Sequence, residues 1–250
     1  MGTEILGYSE RGLINSLFYE LSYKDRDGKL LSQLINKTYF PDPKGPFEVS
    51  KATILIEQSF SDFGDADVVL LIENGDHKQT VFIEAKVKTS GKGAWMIVDE
   101  FEEFKAGIET EKLNSSNLFT QLYHKHRLAD GIVEMGVRDV ASKGLLFPAC
   151  STKSPRKIGK NEIVLKAANM IKPYLEDVSF IGIVPDKTKN IEEFVDKELR
   201  PFIPNEDPNW HWSVRNWGWL SWNTIKDFCD ENNLKNTLGN FRHNEKQIFL

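Results

Sequence analysis

The segment from Ala66 to Val87 constrains the fold more than any other, because it reads as two strands joined by a tight turn. Ala66-Asp67-Val68-Val69-Leu70-Leu71-Ile72 and Thr80-Val81-Phe82-Ile83-Glu84-Ala85-Lys86-Val87 are rich in β-branched residues. Turn-forming Asn74-Gly75-Asp76-His77 lies between them. In the second run Val81, Ile83, Ala85 and Val87 share one face, while Glu84 and Lys86 share the other. The first run is apolar on both faces after Asp67, as an interior strand is. Cross-strand partners in a hairpin sum to a constant. A Gly75-Asp76 loop therefore sets residue 67 against 84, and an Asn74-Gly75 loop sets residue 65 there instead. Asp65 and Asp67 share a face, so either register brings an aspartate beside Glu84. Two carboxylates that close repel each other unless a cation lies between them, and an adjacent lysine is placed to act on what the cation holds. This is the pattern of a metal site.

A third carboxylate precedes the hairpin. Ser9 reads as a helix N-cap, followed at helical spacing by Glu10, Leu13, Ile14, Leu17, Phe18 and Leu21, so Glu10 heads an apolar stripe that docks on the sheet. A glutamate there also fits a simple dipole partner at the helix start.

Together Asp67 (with Asp65 as its alternative), Glu84, Lys86 and Glu10 resemble the motif of the restriction-endonuclease-like superfamily, the PD-(D/E)xK nucleases, over roughly residues 9 to 90. That motif places an Asp on one hairpin strand, (Asp/Glu)-x-Lys on the next, and often a Glu on a preceding helix. The proline of the name is absent, since Gly64-Asp65-Ala66 precedes Asp67. The resemblance implies an α/β (α+β) fold: a restriction-endonuclease-like core, with a central mixed β-sheet flanked by helices. It also implies metal-dependent hydrolysis of phosphodiester bonds, with DNA the foremost substrate. Mg²⁺, with Mn²⁺ able to substitute, would be held by Asp67, Glu84, the carbonyl of Ala85 and Glu10. Lys86 would position the attacking hydroxide or stabilise the transition state. Relatives that cut duplex DNA often act as dimers, so a homodimer is compatible with this reading. The alternative is a nuclease-like fold that has lost catalysis and binds nucleic acid or a protein partner. Loss of the Glu or the Lys would mark it, and both are present.

Composition agrees with a folded chain able to bury a substantial core: 250 residues, 40 % hydrophobic and 28 % charged. No apolar run approaches the ~20 residues of a membrane span. The start, Met1-Gly2-Thr3-Glu4, lacks a signal-peptide layout, so a cytoplasmic location is expected. Cys150 and Cys229 form neither a disulfide framework nor a zinc pattern. The net charge is −5, but its distribution is uneven: ten cations and four anions between Leu122 and Lys172 give that segment +6 and the remainder −11. A basic region beside an acidic centre suits a polyanion, although a charge run by itself is more often a solvated surface. Cys150 to Lys160 reads as a flexible basic loop. Lys153, Arg156, Lys157 and Lys160 in it, with Lys88, are candidate phosphate contacts.

The periodicity predicts helices near 9–24, 29–38, 98–112, 116–129, 161–175, 190–200 and 223–232. Strands are expected near 52–60, 65–74, 80–88 and 178–184, with a further one at 217–222. The chain is read as a single domain, 1–250, with residues of about 90–160 as a helical and basic insertion or elaboration. Gln121 and Tyr123 only partly match a Gln and Tyr, four apart, found in some exonuclease-like members. Gln121 is a candidate phosphate or metal contact, with an exposed helix position the plainer expectation. His124 and His126 fall on different helix faces, which disfavours a metal pair. Trp210, Trp212, Trp217, Trp219 and Trp222 could stack bases beside Arg215, but their alternation fits the inner face of a strand better.

Overall fold

A computed structural model gives the arrangement of residues 5–88, 95–146, 154–203 and 213–248. The chain opens with α1 (Ser9–Lys24) and α2 (Lys29–Ile35), then β1 (Lys51–Ser59), β2 (Asp65–Asn74) and β3 (His77–Ala85). Four helices follow: α3 (Ile97–Glu109), α4 (Leu118–Met135), α5 (Val137–Ser142) and α6 (Glu162–Ile171). Next come β4 (Asp177–Val184), α7 (Thr188–Phe194), a π-turn (Val195–Leu199), α8 (Arg200–Phe202) and β5 (Trp217–Ser221). The end is helical, with α9 (Trp222–Glu231), α10 (Lys235–His243) and α11 (Glu245–Ile248).

The five strands form one mixed sheet in the order β1-β2-β3-β4-β5. β1, β2 and β3 pair antiparallel; β3, β4 and β5 pair parallel. Asn74 faces His77, so Gly75-Asp76 is the two-residue loop, and Gly75 takes a φ of +59° that favours glycine. This settles the register. Val68 with Ile83 is the last regular pair at that end, and Asp67 and Glu84 are the next residue on each strand.

Helices cover both sheet faces. On one face Phe82, Phe180, Trp217 and Trp219 pack against Phe101 and Phe104 of α3, Phe119 and Leu122 of α4, and Phe194 of α7. On the other, Val68, Leu70, Val81, Ile83 and Ile181 meet Leu13, Ile14, Leu17 and Phe18 of α1, with Leu31 of α2 and Phe228 of α9. Each such side chain taken fully from water contributes about 1.5–3 kcal/mol. Thus the 90–160 stretch, expected as an insertion or elaboration, supplies α3 and α4, the layer over one face. Among the described residues no helix is long and apolar enough to cross a membrane.

Several expectations need correction. Ser9 does not cap α1: Tyr8 is the N-cap, and Ser9 is the first helical residue, with φ +65° and its hydroxyl bonded to the Glu10 carboxylate. The third strand starts at His77 and ends at Ala85, so Lys86 and Lys88 lie just beyond it. The helix expected to reach residue 38 ends at Ile35, and the one near 190–200 loosens into a π-turn. Helices α5, α10 and α11 had no clear periodic signature. The packing role expected for the tryptophans holds where it can be seen: Trp217, Trp219 and Trp222 are fully buried, and Trp210 and Trp212 lie outside the described residues.

Candidate functional site

Asp67 and Glu84 project from neighbouring strands onto the face covered by α4. Asp67 Oδ2 accepts a 2.7 Å hydrogen bond from the backbone N–H of Ala85, so the side chain takes the place of a ladder partner at the strand end. Its carboxyl is raised to about 7, first by burial and next by the negative charge of Glu84, while the Ala85 N–H and Lys86 pull it down. Asp65, the alternative, is exposed and pairs with Ser59 at the edge of β2. In the register that the Gly75-Asp76 loop sets, Asp67 rather than Asp65 continues the Val68–Ile83 pairing towards Glu84.

Glu84 is 2 % exposed. Burial raises its pKa; the cations of Lys125 and Lys86 oppose that rise and Asp65 adds to it. Lys86 is anchored through its backbone: its N–H donates to Ile183 O at 2.8 Å, and its carbonyl accepts from Trp222 Nε1 at 2.7 Å. Its partly exposed side chain is within electrostatic reach of Asp67 and Glu84. Glu100 of α3 also feels Lys86. Its carboxylate accepts from the Leu118 N–H at 2.8 Å and so fixes the start of α4, where Asn117 is the N-cap.

Glu10 is partly buried at the head of α1, and its charge reaches Asp67. The segment leading into it is pinned by two asparagines one turn apart on and after α10. Asn240 accepts from Gly7 N at 2.6 Å, and Asn244 accepts from Ser9 N at 2.8 Å. The N–H of Lys88 donates to Gln247 O at 2.7 Å, which ties the end of the hairpin to the same C-terminal region. Glu57 of β1, which lies across from Asp67 between two regular pairs, has φ +50° and bonds Asn15 of α1 instead.

The sequence reading missed Lys125. This α4 residue is 1 % exposed, and its Nζ sits 3.0 Å from Glu84 Oε1 and donates to Phe63 O at 3.1 Å. One turn earlier Gln121 is partly buried rather than exposed. Its Oε1 and that of Glu84 are both buried with no directed hydrogen bond among the described residues, so the Lys125 contact is an ion pair. Tyr123 is core. Burial lowers His124 and His126 to about 3, and His126 stacks on Phe180 at 4.8 Å.

The basic stretch is tied down where it is described. Leu145 and Arg156 form a β-bridge, the Lys157 N–H donates to Asp62 Oδ2 at 2.9 Å, and Arg156 reaches the Asp62 carbonyl. The stretch 154–160 is loop, as expected, with its backbone held at Arg156 and Lys157 by the bridge and by Asp62. Lys160 is exposed, Lys157 partly so, and Lys153 lies outside the described residues.

Among the described residues no group of three or more His, Cys, Asp or Glu side chains is gathered closely enough to hold a metal ion, so Glu10 does not complete a cage with Asp67 and Glu84. Two carboxylates still suit Mg²⁺, which usually keeps waters and takes phosphate oxygens alongside one or two carboxylates. The buried Oε1 of Glu84, short of a directed donor, is an acceptor of the right kind. No protein-family model, curated protein or solved structure matches the chain.

Proposed function

We propose that the protein is a metal-dependent nuclease with a restriction-endonuclease-like core, acting on DNA before RNA. One observation carries the reading: Asp67 and Glu84 lie together at the end of the β2–β3 ladder, with Asp67 bonded to the Ala85 N–H and Lys86 within electrostatic reach of both carboxylates. The mixed sheet, antiparallel through β3 and parallel after it, with helices on both faces, is the frame such a core would need.

In this reading Asp67 and Glu84 hold Mg²⁺ or Mn²⁺, with Ala85 contributing its carbonyl and Glu10 acting through water. Bound there, the cation would acidify a water and neutralise charge growing on the phosphate. The chain's own residues do the rest. The Ala85 N–H fixes the Asp67 carboxylate, and Trp222 with Ile183 fixes the backbone of Lys86 so that its ammonium is presented to the scissile phosphate. Lys157 and Lys160 would contact the phosphate backbone, with Lys88 and Gln121 nearer the centre.

A second reading has support in Lys125, whose ion pair neutralises a metal ligand: a catalytically silent module that binds nucleic acid or a protein. The two are separated by incubating supercoiled plasmid, single-stranded DNA and RNA with the purified protein and Mg²⁺ or Mn²⁺, beside Glu84→Ala and Lys86→Ala. The nuclease reading expects metal-dependent cutting that each substitution lowers by about 10²-fold or more. Binding without cutting would select the silent module, and neither binding nor cutting would end the phosphodiester reading.

A further inference from the structure

The cation already lodged against Glu84 is the protein's own. Lys125 reaches from the second turn of α4 to a point enclosed by the Glu84 carboxylate and the turn that leads into β2. It donates to Phe63 O in that turn, and Gly64, with φ +79°, lies so near that a Cβ there would stand 3.4 Å from the ammonium. The ammonium thus links the two strand ends that supply the carboxylates, one through Glu84 and the other through the turn just before Asp65 and Asp67. A lysine that is 1 % exposed has almost no water to carry its charge, and among the described residues Glu84 is the carboxylate it pairs with.

We propose that Lys125 is an internal competitor for the divalent cation, holding Glu84 in the metal-free protein so that metal binds at Asp67–Glu84 against a like charge already in place. The inference rests on the metal-site reading above and makes Lys125 a positioning residue. A cation on the Glu84 carboxylate comes within a few ångström of the ammonium, where like charges in a poorly screened interior repel strongly. Metal affinity is therefore set below what two carboxylates alone would give. Binding also has to loosen the Lys125 tether to Phe63, which couples the metal to the turn that orients Asp67.

The test is a Mn²⁺ titration of the full chain, followed by electron paramagnetic resonance of the free ion, for wild type, Lys125→Met, Lys125→Gln and Glu84→Gln. Gln keeps hydrogen-bond donors for Glu84 and Phe63 and removes only the charge, so it covers the case in which Met fails to fold. We expect Mn²⁺ to bind the folded Lys125 variants about 10-fold tighter or more than wild type. Mn²⁺ should also raise their melting temperature by a wider margin, and Glu84→Gln should bind poorly. Mn²⁺ bound by a Lys125 variant but not by wild type would support the competitor in its strongest form. Equal or weaker affinity in the variants, with wild type binding normally, would overturn the competitor and leave the metal site standing. Absence of binding in every protein would overturn both.

Discussion

Asp67 is set to titrate near neutrality, because burial and the facing Glu84 carboxylate raise it to about 7 from an ordinary value of 3.8. Between those values the folded protein keeps a proton that the unfolded chain has released, so this group's contribution makes stability fall as pH rises through the window, levelling above it. Asp67→Asn abolishes the titration and leaves an acceptor for the Ala85 N–H. In chelator-treated buffer the melting temperature of Asp67→Asn should gain on wild type between pH 5 and pH 8, by about 5–11 °C at 2–4 °C per kcal/mol. A gap that does not change with pH would show that Asp67 is not held protonated. The two substitutions in the cleavage assay also differ in structural cost. Glu84→Ala strands the buried ammonium of Lys125 and should cost about 3–5 kcal/mol by denaturant titration, the usual penalty for breaking a buried pair. Lys86→Ala, partly exposed and held by its backbone, should cost under about 1 kcal/mol, so its activity is the cleaner readout. The closeness of Asp67 and Glu84 was legible in the sequence because hairpin arithmetic leaves two registers, each with an aspartate near Glu84; which one holds was not, since Gly75 lies in both candidate loops and only the Asn74–His77 pairing decides. Lys125 was not, since nothing in a helix some forty residues later tells which strand residue its ammonium will meet.

The strands were legible at the element scale because β2 and β3 are nearly continuous apolar runs, and the ends of β2 fall where expected, at Asp65 and Asn74. Helices α1 and α4 were legible through their apolar stripes. Helix α10 was not: Lys-Asn-Thr-Leu-Gly-Asn-Phe-Arg-His is mostly polar, and it is held partly by Glu20, which accepts from the backbone and hydroxyl of Thr237, both at 2.9 Å. Such a side-chain anchor leaves no periodic trace. Close approach of α4 to the sheet depends on Gly182, which sits beside Glu84 in the parallel β3–β4 register. A Cβ at that position would stand 2.5 Å from the Trp219 ring and 3.2 Å from Leu118 of α4. Gly182→Ala should therefore displace the Trp219 ring and cost about 1–3 kcal/mol. Loss of α4 contact would move Lys125 away from Glu84 as well. Calorimetry reads the first effect, and an unchanged melting temperature would mean that the ring moves aside freely.

Charge acts across the whole molecule, and the structure redistributes what the sequence appeared to offer. Of the cations that make the 122–172 segment basic, Lys125 is committed to Glu84, Arg127 meets Asp130, Lys143 meets Asp139, and Arg156 reaches the Asp62 carbonyl. Net charge along a segment cannot show this, because it counts an ammonium in the core and one in water alike. Lys157 and Lys160 remain on the side facing solvent, beside the bridge that fixes residues 145 and 156. If these two contact a nucleic-acid backbone, each neutralised phosphate contributes about 0.9 to the slope of log affinity against log salt for duplex DNA. Replacing both by glutamine should then flatten that slope by about 1–2 and weaken binding to all sequences alike. Fluorescence anisotropy on one duplex across a salt series measures this directly, with Lys189→Gln, an exposed lysine of α7, as the control. A slope that stays the same in the double variant would remove the 154–160 stretch from the nucleic-acid path. Of the proposed contacts among the described residues it would leave Lys86, Lys88 and Gln121, and two charges can steer a phosphate but cannot hold a long duplex against physiological salt.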